Sequence, residues 1–142
     1  MTTLASTRHA PAGKGLRIGL WVAQVLIAGI FIASGVMKFF TPISQLSQMM
    51  PWTGQLSVTF VRFIGIVDFC GGVGILLPSL TRIQPRLTVL AALGCTVLQV
   101  LAISFHLSRG EASVLPLNFV LLPLAVFVLW GRSKAAPIGP RA

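Results

Sequence analysis

The 142 residues contain two acidic side chains, Asp68 and Glu111, against eleven Lys and Arg. Asp68 stands in an apolar run, Ile66-Val67-Asp68-Phe69-Cys70. An ionised carboxylate there is expensive unless a donor or a cation meets it, and it otherwise carries a proton. Those two protonation states are the ones between which a general acid or base alternates, so Asp68 is the leading candidate for catalysis. His106 is the second, being the sole His beyond the first seventeen residues. Its unperturbed pKa suits proton transfer, while a helix-end or headgroup contact is the plainer reading. Lys38 and Arg62 could hold the polar end of a substrate or a lipid headgroup, or act as snorkelling anchors. Gln99 and Asn118 add neutral hydrogen-bonding groups to this substrate- or headgroup-binding set. Cys70 and Cys95 have no CxxC or Cys-His spacing, and thiolates are disfavoured in hydrocarbon, so they read as small packing residues at similar depth. No metal-ligand set, HExxH, phosphate-binding Gly loop or Ser nucleophile elbow is present in the sequence.

The elements that must position these residues are membrane spans. Of the chain, 55% is apolar and only 9% charged, which is unlike a soluble domain. Four runs, 18–37, 58–77, 87–106 and 114–130, are each long enough to cross about 30 Å of hydrocarbon at 1.5 Å per residue. The expected fold is therefore all-α, a polytopic membrane four-helix bundle with helices near 18–40, 58–77, 87–106 and 114–130. A flexible basic leader over 1–17 should precede it and a basic tail over 131–142 should follow. The first run exceeds the 7 to 15 residues of a signal h-region and should persist. Pro42, Pro51, Pro78, Pro85 and Gly110 are expected to end helices. Between the first two spans, Ile43, Leu46 and Met50 have helical spacing for a short interfacial helix, with an irregular linker as the alternative. Trp52 is expected at headgroup level.

The formal net charge is +9. Its cations stand in ones and twos beside apolar runs, lining no single face, which argues against nucleic acid and for topology signals and anionic-lipid contact. Arg8, Lys14, Arg17, Arg82, Arg86, Arg132, Lys134 and Arg141 fall on one side, leaving Lys38, Arg62 and Arg109 for the other. The positive-inside rule then places both termini in the cytoplasm. On this topology the unusual polar residues gather at the outer end. Asp68 lies about 12 Å and Gln99 about 10 Å below that boundary by helical rise, so they could face each other. Lys38 or His106 is a better ionic partner for Asp68 than Arg62, which is about 9 Å away along its own helix. Gly65 and Gly72 share the face of Asp68 and turn it inward, with Gly71 and Gly74 widening the smooth strip. Gly29, Ala33 and Gly94 are expected to pack helices in the same way. As the alternative to chemistry, Asp68 bonded to Gln99 or Asn118 would serve only as polar glue between helices.

Three segments together resemble the DoxX-like family of small four-helix bacterial membrane proteins. The first is the helix ending Ala33-Ser34-Gly35-Val36-Met37-Lys38-Phe39. The second is Phe63-Ile64-Gly65-Ile66-Val67-Asp68-Phe69-Cys70-Gly71-Gly72-Val73-Gly74-Ile75-Leu76-Leu77-Pro78, similar to the family's Gly, acid, Gly, Leu-Pro pattern. The third is Phe105-His106-Leu107-Ser108-Arg109-Gly110-Glu111. The likeness covers about 19–130, and Asp68 stands where relatives frequently carry the longer Glu. It implies a bacterial cytoplasmic (inner) membrane location. Some members of the family are subunits or partners of membrane redox systems, including thiosulfate:quinone oxidoreductase and oxidative-stress assemblies. By that analogy a quinone-linked redox partnership is the first expectation, with quinone as the implied cofactor and a membrane redox protein as the partner.

The competing expectation is a small enzyme acting on a quinone or other lipid-like substrate, with Asp68 as acid or base and Lys38, Arg62 and His106 holding the polar end. A proton or solute carrier ranks last, because the inner half offers little polar beyond Gln24. Membrane lipids are the expected surroundings, and the small-residue faces would also suit a homo-oligomer.

Overall fold

The computed structural model describes residues 12–141, so the greater part of the expected leader, with His9, lies outside the described residues. The described chain is all helical. Helix α1 spans Lys14–Phe40, the short α2 spans Ile43–Met49, α3 spans Val58–Thr81, α4 spans Arg86–Ser108 and α5 spans Leu115–Trp130. A 3₁₀ turn, Pro51–Gly54, follows α2, another, Ala112–Val114, leads into α5, and a π turn, Gly131–Ala135, prolongs it. Four helices are long and apolar enough to cross a membrane, namely α1, α3, α4 and α5 with its flanking turns. They close a ring in which α1 packs on α3, α3 on α4, α4 on α5 and α5 on α1. Both ends of the described chain therefore lie at one end of the bundle, together with the α3–α4 link. We call this the terminal end, and the opposite one the α2 end.

Apolar residues cover the perimeter as well as the core: Leu90, Leu101 and Phe119 are more than half exposed while Ile27, Ile75 and Ala125 are fully enclosed. Acyl chains are as apolar as Leu, so association here depends on close packing more than on the hydrophobic effect. Glycines provide it between α1 and α3. A Cβ on Gly35 would come within 2.5 Å of Gly65 O, one on Gly65 within 2.9 Å of Gly35 O, and one on Gly72 within 2.9 Å of Ala28 O. The strip expected on one face of α3 divides, since Gly71 instead meets Cys95 Sγ and Gly74 meets Ala91 on α4. Gly29 and Gly94 have no neighbour within 4 Å, and Ala33 is exposed, so these three lie on the perimeter rather than at a helix contact. Their small size is the same as that of Gly35; only their angular position differs.

One helix-ending expectation fails. Pro78 lies buried inside α3, which runs on to Thr81, and Pro123 lies inside α5. Proline removes one N–H, but in a bundle neighbouring helices and local backbone adjustment tolerate the freed carbonyl. What ends α3 is Arg82, left-handed at φ 56°, followed by Gln84 at φ 49° and then Pro85. At the other end of the bundle the segment after α1 forms the short helix rather than an irregular linker. Leu46 of α2 is fully enclosed, and Trp52, expected among headgroups, is turned inward onto Val61 and Phe105. These contacts make α2 and its 3₁₀ turn an apolar cap over the bundle end.

Candidate functional site

Ser57 begins α3 by accepting a hydrogen bond from Phe60 N at 3.2 Å, a side-chain N-cap. Eleven residues on, three turns into the helix, Asp68 is 5% exposed. Its Oδ2 accepts from Lys38 Nζ at 2.6 Å and from Ser34 Oγ at 3.0 Å. Ser34 and Lys38 are four residues apart on α1 and so present one face, and the Gly35–Gly65 approach brings that face against α3. Above the pair, Lys38 Nζ lies 5.6 Å from the centroid of the Trp52 ring, a cation–π contact. The cation that sequence spacing left open is thus Lys38.

Arg62 does not join this pair. Its Nη1 donates to Lys38 O at 2.6 Å and Thr41 O at 2.8 Å. A guanidinium on the last carbonyls of α1 satisfies acceptors that have no intrahelical donor and complements the helix dipole. Arg62 therefore fixes the backbone that carries Lys38.

His106 belongs to a second cluster. Its Nδ1 lies 2.6 Å from Glu111 Oε2, and since an ionised carboxylate only accepts, Nδ1 carries the hydrogen. Arg109 Nε donates to Glu111 Oε1 at 2.8 Å, and its Nη2 to Gln55 Oε1. These donors, His106 first and Arg109 second, hold the Glu111 carboxyl below its ordinary pKa. The cluster ties the turn after α4, where Gly110 has φ 69°, to the segment following α2. Trp52 adjoins both clusters, since its ring also meets Phe105 edge-on at 6.0 Å.

The remaining expected residues stand apart. No hydrogen bond joins Gln99 or Asn118 to Asp68, whose donors both come from α1. Gln99 Oε1 and Asn118 Nδ2 are buried without partners. The depth argument fixed how far along its helix each residue lies, but not which way it faces. Cys95 is buried and Cys70 exposed, and both are free, so similar depth does not make them a packed pair. Among the described residues no group of three His, Cys, Asp or Glu could hold a metal.

One polar network was not foreseen. At the terminal end Gln24 Nε2 donates to Ile75 O at 2.7 Å and Ser79 Oγ at 3.0 Å, Ser79 pairs with Thr88 at 2.8 Å, and Arg132 Nε donates to Gln24 Oε1 at 2.7 Å. Sequence reasoning counted Arg132 as a topology signal and saw little beyond Gln24 in this half. The available signal was a set of hydrogen-bonding residues, Gln24, Ser79, Thr88 and Arg132, each lying near that end of a different span.

Fold and site together define a small polytopic membrane protein whose two carboxylates are each paired with a cation at one end of a four-helix bundle. The chain belongs to the DoxX-like family, whose model matches residues 22–128. No curated protein and no solved structure matches it significantly.

Proposed function

We propose that this chain is an auxiliary subunit of a quinone-linked membrane redox system. It lies in the bacterial inner membrane with both termini in the cytoplasm and presents its capped α2 end to a partner. The observation that carries this reading is mutual neutralisation: Asp68 is held by Lys38 and Ser34, and Glu111 by His106 and Arg109. Side chains arranged in this way organise a surface, since the 3₁₀ turn, Gln55 after it and the α4–α5 connection are fastened by them. Gentle purification from the native membrane tests the reading, with co-purifying proteins and quinones identified by mass spectrometry. A stoichiometric redox protein or quinone that is lost in Asp68→Asn supports it. Recovery of partner and quinone unchanged by that substitution removes the cluster from the mechanism.

One observation favours a second reading. Asp68 Oδ2 takes both donors while Oδ1 makes no hydrogen bond among the described residues, which leaves an acceptor for a quinone or other lipid-like substrate with Asp68 as acid or base. That reading requires turnover of such a substrate by the purified chain alone, abolished in Asp68→Asn.

A further inference from the structure

The terminal end holds a cavity of about 530 Å³ lined by Arg17, Trp21, Arg82, Arg132, Lys134 and the backbone of the tail around Pro137. Four cations converge there. The only Asp and Glu side chains of the chain, Asp68 and Glu111, are engaged at the opposite end of the bundle. Arg132 is the deepest of the four, at 5% exposure. Its guanidinium lies over the Trp21 ring at 5.0 Å, with Nε on Gln24 Oε1 and Nη1 donating to Ala136 O at 3.1 Å. Its Nη2 is buried and has no partner among the described residues.

A guanidinium so placed is costly to bury without an anion. Its planar set of donors matches the oxygens of a phosphate. The side chain is also held in position from behind, because Gln24 is itself fixed by Ile75 O and Ser79. The tail forms part of the wall: Arg82 Nε donates to Gly139 O at 2.9 Å and Arg141 N to Arg82 O at 2.8 Å.

Trp21 also lines a second, apolar groove of about 270 Å³ with Val22, Val25 and Leu26. These three side chains are about half exposed on the perimeter of α1. Because α1 enters the bundle from this end, the groove descends from the basic cavity by about 8 Å of helical rise. A basic pocket above an apolar track has the shape of a headgroup site above an acyl chain.

We propose that the terminal-end cavity is a phosphate-binding site filled from the bilayer by the headgroup of an anionic phospholipid, whose acyl chain lies along Trp21, Val22, Val25 and Leu26. The site is separate from the Asp68 cluster and stands independently of the partner-subunit reading.

Thermal unfolding of the purified full chain in neutral detergent tests it, with separate titrations of phosphatidylglycerol, phosphatidylcholine and inorganic phosphate. Phosphatidylglycerol is expected to raise the midpoint at lower concentration than either of the others. Arg17→Gln and Lys134→Gln, at exposed positions, should each weaken that effect about fivefold, the ratio corresponding to ~1 kcal/mol per interfacial cation. The lipid-free midpoint should stay unchanged. Arg132→Lys keeps the charge but loses the planar donors, and should weaken it as well. Equal response to phosphatidylglycerol and phosphatidylcholine overturns the site, as does a wild-type response in the Arg17→Gln/Lys134→Gln double variant. Inorganic phosphate acting as strongly as phosphatidylglycerol overturns the lipid as its source.

Discussion

The carboxylate of Asp68 and the ammonium of Lys38 are both largely withdrawn from solvent, so each depends on the other. Removing one member of a buried pair strands the other charge, at a cost of about 3–5 kcal/mol, whereas replacing both with apolar residues is often close to neutral. Lys38→Met alone is accordingly expected to lower stability by about that amount, and Lys38→Met/Asp68→Leu to recover most of it. Unfolding in detergent micelles measures both. A double variant that folds but no longer retains its partner separates the pair's structural part from its functional one. Glu111 behaves differently because it lies in the turn between α4 and α5, outside the two helices. Its carboxyl is held below the ordinary value of 4.5, so the contacts to His106 and Arg109 contribute fully above that value. They are lost as pH falls through the lowered one. Near-ultraviolet circular dichroism of the cap tryptophan should show this loss on acidification, and Glu111→Gln should abolish that dependence.

At the scale of elements, the α1–α3 contact rests on main chain meeting main chain. Gly35→Leu or Gly72→Leu should separate these helices and lower the melting temperature markedly, while Gly29→Leu and Gly94→Leu, with open space around them, should leave it unchanged. Native melting of Gly72→Leu would place the contact elsewhere. The four spans were legible because long apolar runs admit few other fates, and α2 was legible as one of two alternatives, a short helix or an irregular linker, because Ile43 and Leu46 fall three apart. The ionic partner of Asp68 was legible as a choice between Lys38 and His106. Facing was not legible for Gln99, Cys70, Gly29 and Gly94, because rotation about a helix that is apolar on all sides leaves no trace in its sequence. Pro78 misled because proline ends helices in water more reliably than inside a bundle. Arg132 was hidden by position, since a lone cation two residues past Trp130 reads as a flank. Its burial depends on the tail turning back along the bundle through Gly139 and Arg141.

For the molecule as a whole, the proposed sidedness, with the terminal end in the cytoplasm as the positive-inside rule expects, has a direct test. With Cys70 and Cys95 replaced by Ser, a cysteine introduced at Ser133 should be shielded from an impermeant maleimide in intact cells. One at Gln45 should react, and the reverse pattern would invert the topology. The charge distribution also has an electrical consequence. Lys14, Arg17, Arg82, Arg86, Arg132, Lys134 and Arg141 stand at the terminal end with no Asp or Glu, whereas the α2 end sets Lys38, Arg62 and Arg109 against Asp68 and Glu111. Among the described residues the bundle is a dipole along its long axis, with six more positive charges at one end than at the other. Carrying each charge against a membrane potential of 100 mV costs about 2.3 kcal/mol. Turning the molecule over would therefore cost about 14 kcal/mol from the field alone. On the proposed sidedness an energised membrane, negative inside, would act as a latch on a protein already inserted, and collapsing the voltage would release that latch while leaving every contact in the bundle in place.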